Sequence, residues 1–184
     1  PADLAIVIDD FGYTREPIEW FINIPIPMTF AVLPHRPFSH EAASRALSAG
    51  YQTILHLPME PIKPTPDVEQ YTVTAGMQPD QIRQIVKNSI HRLPGIVGVN
   101  NHQGSRATAD KNVMQNVLGT LQEHHLFFVD SRTSSQSVAY TTAKTMKIPT
   151  AHNYLFIDNN TNVDTIKEYL RTAIQLAIHN GNAV

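Results

Sequence analysis

The sequence predicts an α/β fold: one domain on a parallel sheet, either a small, incomplete or distorted (β/α) barrel or an open sheet. Three observations predict it. Short continuous apolar runs, the mark of strands buried on both faces, alternate with segments whose apolar residues recur every three to four positions. Six such strand–helix units follow one another, the order that a parallel sheet with right-handed crossovers requires. Polar residues fall repeatedly just past the apolar runs, where strand carboxyl ends form the ligand-facing rim of such folds. A complete eight-fold barrel typically needs about 250 residues, so this chain of 184 predicts a smaller or incomplete version.

Taken in order, Leu4–Ile8 is the first strand, and Thr14 caps a helix carrying Ile18, Phe21 and Ile22, with Pro17 in its first turn. Met28–Leu33 is the second strand. Ser39 caps a helix with Ala42, Ala43, Ala46 and Leu47 on one face, closed by Gly50. Tyr51–Leu57 is the third strand, and residues 58–78, with Pro58, Pro61, Pro64 and Pro66, read as a long rim loop. Pro79 opens a helix facing inward with Ile82, Ile85, Val86, Ile90 and Leu93. Ile96–Val99 is a short strand, and Asp110 caps a helix burying Val113, Met114, Val117, Leu118 and Leu121. Leu126–Val129 is the fifth strand, followed by a helix with Val138, Ala139, Ala143 and Met146 and a weaker strand over Pro149–Ala151. The last helix presents Ile166, Tyr169, Leu170, Ala173, Ile174 and Ala177, and Gly181–Val184 reads as a turn entering a strand. One domain covers residues 1–184, with further chain expected on both sides of it.

The net charge is -2 and no long basic run occurs, which argues against nucleic acid or an anionic membrane surface as partner. There is no Cys, so thiolate metal sites and disulfides are excluded, and a metal must take His, Asp or Glu ligands. No apolar run approaches the roughly 20 residues that span a bilayer.

Chemistry concentrates on the predicted rim. Asp9-Asp10 follows the first strand, His56 ends the third, His102 follows the fourth and Asp130 follows the fifth. Adjacent carboxylates repel, and a nearby cation or a shared proton relieves them. One can ligate a metal while its neighbour takes a proton from water. Glu60, four residues after His56, is a second ligand or holds the imidazole, and Arg106 is a clamp for a ligand oxygen or a surface ion pair. Asp130 either caps the following helix or orients Arg106 or Arg132, and His152 follows the weakest strand. The histidines at 35, 40, 91, 124, 125 and 179 are read as solvated, and Trp20 as core or edge.

The stretches Leu4–Tyr13, Gly50–Pro61, Gly98–Arg106 and Phe128–Thr133, in that order, resemble the divergent polysaccharide deacetylase family of bacteria. The resemblance implies a distorted parallel (β/α) barrel and a divalent metal, with zinc the first expectation. It implies hydrolysis of a C–N bond other than a peptide bond: N-acetyl removal from a cell-wall or extracellular polysaccharide, or a peptidoglycan fragment, by metal-activated water. By position, Asp9 matches the family's base, Asp10 its metal-binding Asp and His56 the first His of a His-x-x-x-His motif. Glu60 stands where the second His is usual, and His102 is the replacement ligand. Within that scheme His152 is the candidate acid, and Arg106, Asp130 and Arg132 are candidate substrate contacts. An extracytoplasmic, cell-envelope location follows from the same resemblance. The alternative is a degenerate glycan- or protein-binding module on the same fold.

Overall fold

Several strands here start on β-branched or aromatic residues, and their order decides the architecture. The structure, a computed structural model, describes residues 2–64, 69 and 71–184. Six parallel strands lie side by side in chain order: β2 (Val7–Phe11), β3 (Thr29–Val32), β4 (Gln52–Met59), β5 (Gly98–Gln103), β6 (Phe127–Asp130) and β7 (Thr150–His152). The crossovers carry α1 (Glu16–Phe21), α2 (Ser39–Ser48), α3 (Pro79–Arg92), α4 (Lys111–Glu123) and α5 (Ala139–Thr145), and α6 (Val163–Asn180) follows β7. Each crossover advances one strand in the same sense, the winding of a barrel rather than of a doubly wound sheet.

The arc does not close into one continuous ladder. A two-stranded sheet of β1 (Asp3–Leu4) and β8 (Asn182–Ala183) stands between its ends. β1 runs on into β2 through Ala5 and Ile6, and Tyr154 N donates to Val184 O at 2.8 Å, which ties the chain after β7 to β8. The predicted strand entry at Gly181–Val184 is therefore β8, and it spans the gap.

β4 is the hub, buried from Thr53 to Met59, because sheet neighbours flank it and helices cover it. Leu55, Leu57, Phe30, Val99 and Phe128 meet α2 through Ala42, Ala43 and Ala46, and α4 through Val113, Met114, Val117, Leu118 and Leu121. Burying each large apolar side chain contributes about 1.5–3 kcal/mol. The predicted inward faces of α2 and α4 match this core, apart from Leu47, which is half-buried.

Local chemistry departs from the sequence expectation in several places. Asp110 caps α4, accepting from Asn112 N at 2.8 Å and Val113 N at 3.2 Å, as expected. Ser39 does not cap α2. It is the first helical residue, and its Oγ accepts from Arg36 N at 2.9 Å and donates to Leu33 O, fixing the turn after β3. Thr14 is not a cap either, since Arg15 precedes α1. β4 runs two residues past its predicted end, through Pro58. β3 pairs with β4 only as far as Leu55, so no ladder bond is lost at the proline, and Pro58 O accepts from Val73 N at 2.9 Å. In the long loop after β4, residues 65–68 and 70 lie outside the described residues. On α6, Ala173 and Ala177 are buried, but Ile174 is exposed, because this helix packs mainly against the small β1–β8 sheet. Trp20 is exposed rather than core or edge, and His35 is half-buried against the Tyr71 ring rather than solvated. No helix is long and apolar enough to cross a membrane among the described residues.

Candidate metal centre

Two consecutive residues on a regular strand point to opposite faces. Asp9 and Asp10 escape this through a β-bulge. Ile8 pairs with Phe30 and Phe11 with Val32, so three steps on β2 match two on β3, and Asp10 takes up the extra residue with φ 65°. Both carboxylates then reach one imidazole: Asp10 Oδ1 lies 3.3 Å from His56 Nε2, and Asp9 Oδ1 lies 3.9 Å from His56 Nδ1.

The ladder between β4 and β5 supplies the rest. His56 pairs with Asn100 and Pro58 with His102, so period-two alternation puts His56, Asn100 and His102 on one face. His102 Nδ1 lies 3.0 Å from Asp10 Oδ1 and 3.1 Å from His56 Nε2. His56 Nδ1 meets Asn100 Oδ1 at 2.7 Å, and Asn100 Nδ2 donates to Asp9 Oδ1 at 3.0 Å. His56 and Asn100 are buried, while Asp10 is open to solvent.

Asp10 Oδ1, His56 Nε2 and His102 Nδ1 thus form a triangle with sides of 3.0–3.3 Å. Tetrahedral ligation at about 2.0–2.1 Å separates donor atoms by about 3.3 Å, so one carboxylate and two imidazoles at this spacing fit a divalent ion. They form the candidate metal-binding group among the described residues. Electrostatics agree with that fit. Burial works against the charged form of Asp10, but hydrogen bonds from His102 and His56 outweigh it and hold the carboxyl below its ordinary range. Burial likewise works against protonated His56, yet the charges of Asp9 and Asp10 beside it raise its pKa.

Other predicted site residues lie elsewhere or are engaged. Glu60 is not in the donor group: Oε1 accepts from Arg106 Nη1 at 3.2 Å and Oε2 from Ala75 N at 2.8 Å, which pins the loop after β4. That ion pair occupies Arg106. Asp130 is buried, with Oδ1 accepting from Arg132 N at 2.9 Å and Oδ2 from Ser137 Oγ at 2.7 Å and Tyr140 N at 3.3 Å, which organises the turn into α5. Arg132 is exposed at the end of β6 with φ 51°. His152 meets the Tyr140 ring edge-on at 4.7 Å and the Tyr154 ring at a tilt at 4.4 Å between centroids, and among the described residues it shares no hydrogen bond with the Asp10 group. Asn100 is the polar contact that the sequence reading left out.

Beyond Gly12, Tyr13 Oη donates to Glu69 Oε1 at 2.5 Å, and the Arg36 guanidinium pairs with the same carboxylate while lying 4.2 Å over the Tyr13 ring. Burial, together with the Glu69 carboxylate, pushes the Tyr13 phenol up to about 12. The folded-state value is raised, so its contribution to stability is whole below the ordinary value of 10.0 and fades as pH rises toward about 12. Ultraviolet titration of Tyr13→Phe should accordingly lack one phenolate step centred near pH 12. Loss of a step near pH 10 instead would remove this account of the cluster.

Fold and donor group together define a class: a parallel α/β protein of singly wound, barrel-like order with a candidate divalent-metal centre at its strands' carboxyl ends. The chain belongs to the divergent polysaccharide deacetylase family, whose model matches residues 6–184. It is 34% identical over 181 residues to the uncharacterized protein YibQ of Escherichia coli K12, covering 98% of this chain and 56% of that protein. It is 33% identical over 181 residues to an uncharacterized protein of Haemophilus influenzae Rd, covering 98% of this chain and 64% of that one. The chain therefore spans only about half to two-thirds of the length of these relatives. Its fold superimposes with a TM-score of 0.92 on the crystal structure of an uncharacterized protein from Agrobacterium tumefaciens C58, at 22% identity, covering 99% of this chain and 75% of that one.

Proposed function

We propose that this protein is a metal-dependent hydrolase that removes N-acetyl groups from a cell-wall or extracellular polysaccharide, working outside the cytoplasm. The observation that carries the reading is the bulge at Asp9-Asp10, which brings two successive carboxylates to His56 while Asp10 also reaches His102. Asp10, His56 and His102 would hold the ion. A divalent ion such as zinc supplies Lewis-acid polarisation of a carbonyl and acidifies a bound water. Asp9 is not in the donor group, and its Oδ2 has no hydrogen bond among the described residues while Oδ1 is held by Asn100. Asp9 Oδ2 is thus the base that takes the proton of the attacking water. Collapse of the tetrahedral adduct breaks the C–N bond, and the departing amine takes a proton, for which His152 is the candidate donor. Arg132, exposed just past β6, is the candidate substrate cation, while Arg106 is paired with Glu60.

Acetate release from N-acetylated glycans, measured with and without zinc, tests this. Asp9→Asn should lower turnover by about 10²–10⁴-fold while zinc affinity stays near wild type, since it removes a general base and no ligand. Zinc binding without acetate release from any acetylated glycan would instead favour a glycan-binding module on a degenerate site.

A further inference from the structure

We propose that Asn100 is a positioning residue that sets the metal ligand His56 and the base Asp9 with a single amide. The inference rests on the metal-hydrolase reading above and adds to it the link between its two halves. A carboxylate can only accept hydrogen bonds, so Asp9 Oδ1, 3.0 Å away, must face the Asn100 amide nitrogen. The Asn100 carbonyl oxygen therefore faces His56, at 2.7 Å from Nδ1, and requires a proton there. With Nδ1 protonated, a neutral His56 leaves its lone pair on Nε2, the atom that closes the triangle with Asp10 Oδ1 and His102 Nδ1. The polarity of one side chain thus fixes which imidazole nitrogen faces the ion.

Position makes this arrangement rigid. Asn100 is buried in the middle of β5, directly opposite His56 in the β4–β5 ladder. Its neighbour Asn101 faces the other way and braces β6, accepting from Ser131 N at 2.9 Å and donating to Gln103 O at 2.7 Å. Two successive asparagines therefore do different work: Asn101 holds the sheet, and Asn100 holds the site. The same bond leaves Asp9 Oδ2 without a hydrogen bond among the described residues, so the carboxylate is oriented without being consumed.

Two substitutions separate the roles. Asn100→Ala removes both bonds, whereas Asn100→Asp keeps an acceptor for His56 Nδ1–H and deletes the donor to Asp9. Zinc affinity is read by competition with a chromogenic chelator. The His56 Nδ1–H resonance of the zinc-loaded protein is read by NMR in water, and circular dichroism checks that each variant is folded. Asn100→Ala should weaken zinc binding by about 10–100-fold and lose the Nδ1–H resonance to exchange. Asn100→Asp should keep the resonance and bind zinc at least as tightly as wild type, yet release acetate at least about tenfold more slowly at saturating zinc. If Asn100→Ala fails to fold, the Asn100→Asp result decides alone. Wild-type zinc affinity in folded Asn100→Ala, or zinc loss in Asn100→Asp, would overturn the assignment while leaving the metal site standing. Failure of the wild-type protein itself to bind zinc would sink the metal-hydrolase reading and this inference with it.

Discussion

Asp10→Ala and His102→Ala are each expected to reduce zinc affinity beyond the about 10–100-fold that loss of an outer-shell partner costs, because each deletes one of three donors. Thermal unfolding should report the same loss. At a free zinc concentration a hundred times its dissociation constant, wild type should gain about 2.7 kcal/mol. For a chain of this size that is a rise in Tm of roughly 5–10 °C, and either variant should show almost none of it. The dependence on pH has a definite sign. Without metal, the neighbouring carboxylates raise the His56 pKa and the imidazoles lower that of Asp10, so protonation of His56 competes with the ion. Asp10 then adds stability above its ordinary value of 3.8, lost only as pH falls through its depressed folded value. His56 adds stability below its ordinary value of 6.5, lost as pH rises through its higher folded value. Metal-free protein should therefore pass its maximum between these values and weaken above 6.5, where zinc binding strengthens because the proton it displaces is leaving. Equal Tm gains in wild type and both variants would remove Asp10 and His102 from the metal's surroundings.

Part of this site is legible in the chain because parallel folds place strand carboxyl ends on one rim. Strand ends alone gather Asp9, Asp10, His56, His102 and Asp130; the narrower set of Asp10, His56 and His102 is what the family resemblance implies. The inward face of α4 was equally legible, since five apolar residues at helical spacing leave no alternative face to bury. What escaped depends on pairing. The bulge at Asp9-Asp10 exists only relative to β3, and nothing in the local sequence announces that one residue of β2 goes unmatched. Asn100 escaped for a related reason: in an Asn-Asn-His run an asparagine reads as turn chemistry until the His56–Asn100 register is known. Ser39 has the chemistry of a cap, but its hydroxyl is committed to Leu33 O and Arg36 N, a tertiary use that outweighs helix-end preference. On α6, helical periodicity located an apolar face, but the narrow β1–β8 sheet beneath it leaves Ile174 in solvent.

Gly12→Ala should destabilise the protein by roughly 2–5 kcal/mol, and two separate costs produce it. Gly12 has φ 122°, a region that L side chains rarely adopt, and holding alanine there costs about 1–3 kcal/mol. The new methyl would also lie 2.9 Å from Ser39 Oγ, 3.2 Å from Arg36 Cβ and 3.4 Å from Leu33 O. Ser39 cannot swing aside, since its hydroxyl is bonded both to Arg36 N and to Leu33 O, and Phe38 N donates to Gly12 O at 3.0 Å. Relief must come from β2, and the segment with room to move is the bulge that aims Asp10. Zinc affinity should therefore fall along with Tm, although residue 12 touches no donor atom. Gly50→Ala separates the two costs: its φ of 85° is also left-handed, but nothing lies within 4 Å of the added carbon. That variant should lose only the strain and keep zinc affinity. If Gly12→Ala is no more harmful than Gly50→Ala, the packing between Gly12 and Ser39 does not hold the acidic pair in place.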